Sequence, residues 1–280
     1  MSPIIQPEEL LKIYQHENVV LVDAGSGGPA IENYNHKHLK GALYVDLNDQ
    51  LSDIKEDAAI GGRHPLPSIS QFNKVLTDLG VAADSHVIIY DDKKGANASA
   101  RFWWMLKSVG HEKVQVLSGG LQAAAQAGIP TSSEKETPKE NTAYKATEWQ
   151  LPLVGISEVE KVSKSPDYLV VDVREEDRYN GLTEPIDLIA GHIPGAVNIP
   201  LSQNLNSDGS FKSPEALKKQ YTEVIGNRNS ENIIIHCGSG VTACHTILAM
   251  AYAGMEIPNL YVGSWSEWSR NNKEMITAAK

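Results

Sequence analysis

The chain has 280 residues, of which 41% are apolar and 21% charged, and its formal net charge of −10 disfavours nucleic acid as a partner. This composition excludes a disordered chain. Because no apolar run approaches the roughly 20 residues that span a bilayer, and the N-terminus lacks a secretory signal, we expect no membrane partner. Two cysteines, Cys237 and Cys244, are too few for a disulfide scaffold or a four-cysteine zinc site, and they favour the cytoplasm.

Helical segments alternate with runs of branched aliphatic residues along the first half of the chain. Such runs are typical of parallel strands that are buried on both faces. In chain order we predict a helix at 6–16, a strand at 19–24, a stretch HLKGALYVDL at 38–47, a helix at 70–79, a strand at 87–91, a helix at 98–109 and a strand at 114–120.

The second half repeats this order at a spacing of about 150 residues. We predict a helix at 157–164, a strand at 168–174, a stretch GHIPGAVNIP at 191–200, a helix at 213–224, a strand at 233–237, a helix at 242–253 and a strand at 260–264. The motif His-x-x-Gly-Ala stands at the same place in both halves. We therefore predict an α/β protein with two tandem domains of one fold, each a mainly parallel sheet flanked by helices.

A polar, charged segment separates the two halves. It contains few branched aliphatic residues, which is typical of a linker on the surface. We therefore predict a first domain at 1–135, a linker at 136–150 and a second domain at 151–280.

Superposing the repeats places Cys237 opposite Asp91, each at the carboxyl end of a buried strand. In open α/β sheets this is where ligands bind. The loop after Cys237 reads Gly-Ser-Gly-Val-Thr and leads into a helix. Its glycines allow successive N–H groups to point inward, and a helix N-terminus lowers the pKa of a thiol. The pattern predicts a nucleophilic thiolate in an anion-binding loop, with a buried structural cysteine as the alternative.

Two other thiol functions are disfavoured by spacing. Cys244 lies about two helical turns beyond Cys237, too far for a disulfide, and is predicted to pack in the core. A phosphatase loop would need an arginine at the sixth position after the cysteine, where this chain has Ala243.

These features together resemble the two-domain rhodanese-type sulfurtransferases. The resemblance rests on the loop CGSGVTA at 237–243, the box HIPGA at 192–196 with its degenerate copy HLKGA at 38–42, and the segment GSWSEW at 263–268. It covers nearly the whole chain and implies one catalytic and one silent rhodanese-like domain, because Asp91 cannot accept sulfur.

The resemblance implies that Cys237 takes a sulfane sulfur from a small anionic donor and passes it to cyanide or a thiol acceptor such as thioredoxin. No cofactor or metal is implied. The backbone of the loop residues Gly238, Gly240, Val241 and Thr242 would bind the anionic persulfide. The loop CGSGVT resembles that of 3-mercaptopyruvate sulfurtransferases, whereas thiosulfate-preferring enzymes carry two basic residues after the cysteine.

Four further residues are assigned by the same resemblance. Ser239 would act with His64 and an acid that falls at Asp49, and Arg178 would hold the anionic group of the donor. As alternatives, His64 is a packing residue and Arg178 a solvated side chain. The stretch TEPIDLIAGH lacks a second arginine that mercaptopyruvate enzymes carry, although Arg63 or a backbone amide could substitute.

Three hypotheses therefore stay open at the level of sequence. The first is a 3-mercaptopyruvate sulfurtransferase and the second a thiosulfate sulfurtransferase, favoured by the missing arginine. The third is a non-catalytic thiol sensor or partner-binding module.

Overall fold

The chain forms two compact units in a computed structural model that describes residues 1–140 and 142–277. The first unit comprises Met1–Asp53, Pro67–Gln150 and Ser207–Phe211, and the second comprises Ile54–Leu66, Leu151–Asn206 and Lys212–Lys280. We call Ile54–Leu66 and Ser207–Phe211 the exchanged segments, because each belongs to the unit built mainly by the other half of the chain. The domains predicted from sequence, 1–135 and 151–280 with a linker at 136–150, are continuous and therefore do not include the exchanged segments.

The first unit is a parallel sheet covered by helices. Its strands are β1 (Ile4–Ile5), β2 (Val19–Gly25), β3 (His38–Leu39), β4 (Leu43–Asp46), β5 (His86–Tyr90), β6 (Val114–Leu117) and β7 (Thr131–Ser132). Its helices are α1 (Pro7–Ile13), α2 (Gly28–His36), α3 (Ile69–Asp78), α4 (Ala98–Ser108) and α5 (Gly120–Gln126). Five strands form the parallel sheet in the order β1-β6-β5-β2-β4, while β3 and β7 pair antiparallel.

The second unit has the same architecture. Its strands are β8 (Leu153–Val154), β9 (Leu169–Asp172), β10 (Val197–Asn198), β11 (Ile233–His236) and β12 (Asn259–Tyr261). Its α-helices are α6 (Ile156–Val162), α7 (Glu176–Tyr179), α8 (Pro214–Ile225), α9 (Thr242–Tyr252) and α10 (Ser264–Trp268), and short 3₁₀ turns lie at Leu201–Asn204 and Ser230–Asn232. All five strands are parallel, in the order β10-β9-β11-β12-β8. The predicted α/β fold class is confirmed.

Local signals account for where the helices begin. Ser68 and Ser213 precede α3 and α8, and each hydroxyl accepts a hydrogen bond from a first-turn backbone N–H. The central strands β5, β9 and β11 are buried on both faces, as their continuous aliphatic sequences predict. No helix in the described ranges is long and apolar enough to cross a membrane.

A tyrosine–histidine pair occurs at equivalent places in the two units. In the first unit the rings of Tyr34 and His38 stack at 4.0 Å, and the tyrosine hydroxyl donates to the carbonyl of Ala42. In the second unit Tyr179 and His192 stack at 3.9 Å, and the hydroxyl donates to a carbonyl in the same way. The histidine of each His-x-x-Gly-Ala motif therefore fixes the turn before a strand.

Candidate functional site

The loop after β11 places Cys237 at the carboxyl end of a central strand. The side chain is buried, with 1% of its surface exposed, and α9 begins directly after the loop at Thr242. Gly240 has φ of +74°, and a Cβ there would collide with the carbonyl oxygen of Val262. Only glycine therefore fits this turn. Cys244 is fully buried in α9, and its thiol donates to the carbonyl of Gly240.

Helix α10 fixes the backbone of the cysteine loop. The N–H of Cys237 donates to the hydroxyl of Ser264 at 3.1 Å. In return, the N–H groups of Trp265 and Ser266 donate to the carbonyls of Cys237 and Gly238 at 3.0 and 2.8 Å. These bonds set the direction of the first two peptide groups of the loop.

The same helix holds the exchanged segment that carries His64. The N–H of Gly61 donates to the carboxylate of Glu267 at 2.9 Å, and that of Arg63 donates to the hydroxyl of Ser266 at 3.1 Å. As a result, Nδ1 of His64 lies 2.7 Å from Oγ of Ser239, in hydrogen-bond contact. The structure thus brings together the serine and histidine that the sequence assigns to the site.

Asp49, the predicted acid of this group, lies in the first unit. It is exposed in the turn after β4, where its N–H donates to the carboxylate of Asp46 at 3.3 Å. Its association with His64 stays a prediction.

Arg178 is held by an acid that the sequence analysis did not single out. Its Nη2 lies 2.6 Å from the carboxylate of Glu184, which also accepts the N–H groups of Ile186 and Asp187. Burial acts to raise the pKa of Glu184, but these hydrogen bonds and the charge of Arg178 hold it below its ordinary value. Glu184 is therefore a charged anchor for Arg178.

A second buried acid, Asp187, gathers three arginines around one carboxylate. Arg63 donates through Nε at 3.1 Å and Arg270 through Nη1 at 2.9 Å, while Nη2 of Arg178 lies at 3.6 Å. Both acids lie in the stretch TEPIDLIAGH, where sequence reasoning looked for an arginine. Their signal was two acids three residues apart in a short loop before the HIPGA box.

Arg174 connects this cluster to the sheet. It forms a bidentate ion pair with Asp172, bonds Glu184 at 3.1 Å and lies over the ring of Trp265 at 4.8 Å. Burial acts to raise the pKa of Asp172, yet the charge of Arg174 and its hydrogen bonds hold it below its ordinary value. The pKa of His236 is lowered by burial, which favours a neutral ring beside Cys237.

The part of the chain that the structure describes contains no candidate metal-binding site. No group of three or more His, Cys, Asp or Glu side chains there could hold an ion. Fold and site together define a two-unit α/β protein in which one unit holds a buried cysteine in a loop that borders an arginine cluster.

Comparison with known proteins agrees with this description. A family model described as "Rhodanese-like domain" matches residues 6–127 and 156–271, so the chain belongs to the rhodanese-like domain family. A probable 3-mercaptopyruvate sulfurtransferase of Pseudomonas aeruginosa is 37% identical over 236 residues, which cover 84% of this chain and 82% of the relative. The thiosulfate sulfurtransferase of Rattus norvegicus is 35% identical over 246 residues, which cover 86% of this chain and 80% of the relative.

A solved structure shows the same fold. The 3-mercaptopyruvate sulfurtransferase from Leishmania major superposes with a TM-score of 0.83 at 29% identity, covering 96% of this chain and 74% of that one. The prediction of a two-domain rhodanese-type sulfurtransferase is confirmed by these relatives.

Proposed function

We propose that the protein moves a sulfane sulfur from 3-mercaptopyruvate to a thiol or cyanide acceptor through a persulfide on Cys237. The observation that carries this proposal is the joint position of three features in the second unit. They are a buried cysteine at the end of a strand, a serine two residues further along the loop that contacts His64, and arginines beside Gly238.

In the first step the Cys237 thiolate attacks the sulfur of the donor. The new S–S bond forms as the sulfur–carbon bond breaks, and its electron pair leaves with carbon as the enolate of pyruvate. The proton of the donor thiol passes to that carbon, which gives pyruvate. The hydroxyl of Ser239, bonded to His64, would relay this proton, and the loop backbone would stabilise the anionic persulfide.

In the second step the acceptor removes the outer sulfur. A thiolate or cyanide attacks it, the S–S bond breaks, and the electron pair returns to Cys237 as thiolate. Thioredoxin is one thiol acceptor of this kind. Two buried free cysteines support a reducing compartment, and we propose the cytoplasm.

The choice of donor rests on position 238. A glycine follows the cysteine here, so the loop itself carries no cation for the second charge of thiosulfate. Relatives named for either donor are about equally similar, at 37% and 35% identity, so donor preference rests on this physical argument. Thiosulfate is the alternative donor, and its S–S bond would break with sulfite as the leaving group.

Initial rates with each donor and cyanide as common acceptor test the proposal. We expect thiocyanate to form with both donors and kcat/KM to be higher for 3-mercaptopyruvate. A higher kcat/KM for thiosulfate would establish the alternative, and no thiocyanate from either donor would favour a non-catalytic thiol sensor.

A further inference from the structure

We propose that the first unit contains a binding site for a small organic cation that carries a guanidinium group. The site is a recess near the carboxyl end of β2, beside the carboxyl group of Asp23. The second unit fills the equivalent place with the guanidinium of its own Arg174, whereas the first unit has a glycine there. The recess takes no part in the proposed sulfur transfer.

The pairing of the strands shows that the two places are equivalent. Asp23 lies opposite Tyr90 in the first sheet, as Asp172 lies opposite His236 in the second. Two positions after the aspartate, the first unit has a glycine and the second unit has Arg174. The carboxyl group is therefore common to both units, and the guanidinium belongs to one of them.

Arg174 shows what a carboxylate at this place binds. Its Nε and Nη2 donate to the two oxygens of Asp172 at 3.0 and 2.6 Å, and Nη2 also donates to the carbonyl of Gly191 at 2.6 Å. The guanidinium lies 4.8 Å from the ring centre of Trp265, and the side chain is 1% exposed. The aspartate therefore holds a guanidinium by two parallel, charged hydrogen bonds.

In the first unit the corresponding place is a recess. It has about 310 Å³ of empty space, including its opening to solvent, and its walls come from α2, α5 and the end of β5. A Cβ on Gly25 would lie 2.4 Å from the hydroxyl of Tyr44 and 2.7 Å from Cβ of Ala30. A side chain at position 25 therefore cannot enter the recess unless these neighbours move, which leaves the space to a free ligand.

The electrostatics of the recess favour a cation. Among the described residues Asp23 has no ion-pair partner, and the charges that act on its pKa are those of Asp91 and Asp92, which are both negative. Burial, with these charges adding to it and a hydrogen bond from Tyr90 opposing it, raises the pKa of Asp23 to about 7. A cation in the recess would supply the positive charge that Arg174 supplies in the other unit, and it would favour the ionised carboxylate.

The pH dependence of binding follows from the groups that face Asp23. The titratable and charged side chains around it are Tyr34, Lys37, Tyr44, Tyr90, Asp91 and Asp92. Burial raises the pKa of all three tyrosines, so they stay neutral near pH 7. Because the pKa of Asp23 lies near 7, a cation should bind more tightly at pH 8 than at pH 5.5.

Isothermal titration calorimetry with guanidinium chloride at pH 8, against sodium chloride at the same concentration, tests this assignment. Two charged hydrogen bonds in a partly solvated recess predict a Kd of about 1 mM. Asp23→Asn keeps the shape of the side chain but removes its charge, and should weaken binding about 10-fold or more. Asp84→Asn is the matched control, because it removes an exposed carboxyl at the amino end of β5 and should leave Kd unchanged.

Two further titrations sharpen the test. Methylammonium carries the same charge without the planar fork, so it should bind more weakly than guanidinium. At pH 5.5 guanidinium should bind the unmodified protein about 10-fold more weakly than at pH 8, and Asp23→Asn should lack this dependence. Asp23→Asn that binds guanidinium as tightly as the unmodified protein would overturn the proposal, as would an unmodified protein that binds none at pH 8. Methylammonium that binds as tightly as guanidinium would also overturn it.

Discussion

The same loop is built differently in the two units. In the first unit Asp91 stands where the second has Cys237, and its carboxylate accepts the N–H groups of Gly95 and Asn97 at 2.7 and 3.1 Å and the hydroxyl of Ser99 at 2.7 Å. The first loop thus binds an anion that belongs to the chain itself. The comparison indicates that a loop of this kind binds a negative charge in either unit. Where the residue is a cysteine, the bound negative charge belongs to a thiolate, which can act as a nucleophile.

The exchanged segments extend the contrast. In the first unit Phe211 is buried beside Gly95, within 3.2 Å of the place where a Cβ would stand. In the second unit the equivalent exchange brings Arg63 and His64 to the cysteine loop. An apolar ring therefore lies on one loop, and charged and titratable groups lie on the other.

A third difference lies one strand away. Asp23 and Asp172 are register neighbours of the residues before the two loops, but Asp172 has Arg174 two positions later, whereas Asp23 is followed by Gly25. Burial, with the nearby charge of Asp91 adding to it, raises the pKa of Asp23 to about 7. Without an arginine beside it, the partly buried carboxyl of Asp23 keeps its proton to a higher pH than Asp172 does.

The largest expected effect is that of Cys237→Ser. Because the hydroxyl is a far weaker nucleophile and cannot form a persulfide, we expect complete loss of thiocyanate formation with a normal circular dichroism spectrum. Cys244→Ser is the matched control and should keep kcat per folded molecule. Residual turnover in Cys237→Ser would refute the assignment of the nucleophile.

Ser239→Ala should lower kcat by about 100-fold, because the donor loses the hydroxyl that is bonded to His64. The measurement is kcat with saturating 3-mercaptopyruvate, and Ser202→Ala, an exposed serine, is the control. A kcat within about twofold of the unmodified protein would leave this pair without a catalytic role.

Asp91→Ala should destabilise the protein by about 3 kcal/mol, because several buried N–H groups lose their acceptor. Urea unfolding measures this change, and the exposed neighbour Asp92 provides the control variant Asp92→Ala. Turnover per folded molecule should not change. Equal stability of the two variants would contradict the claim that the Asp91 carboxylate stabilises this loop.

Asp23→Asn should stabilise the protein by about 2 kcal/mol at pH 8, because the asparagine removes the cost of ionising a partly buried carboxyl. This free energy is roughly half of what a pKa shift from 3.8 to about 7 would give, since the side chain keeps some solvent contact. A carboxyl whose folded pKa is raised contributes its stability below the unfolded value of 3.8 and loses it as the pH rises through about 7. The gain should therefore be near zero below pH 4. Urea unfolding at both pH values measures it, and a pH-independent difference would contradict the raised pKa.

Motifs and periodicity predicted most of the fold and singled out the centre of the candidate site. Continuous aliphatic runs gave β5 and β11, and the loop sequence led to Cys237 and Ser239, because these signals are local. Glu184 binds Arg174 and Arg178 nearby in the chain, but within an irregular loop whose course no periodic pattern predicts. The role of Asp187 depends on contacts with Arg63 and Arg270, which lie far away in the chain, and spacing does not encode such contacts. The exchanged segments escaped prediction for the same reason, since their contacts are made by backbone N–H groups of Gly61 and Arg63.

The central claim is that sulfur transfer passes through Cys237 alone. Peptide mass mapping after incubation with 3-mercaptopyruvate, without acceptor, tests it most directly. Because one tryptic peptide carries both cysteines, the site is read from its fragment ions. We expect one added sulfur atom on Cys237, with Cys244 unmodified, and its removal when cyanide is added. Sulfur on Cys244, or none on Cys237 while thiocyanate still forms, would contradict the account.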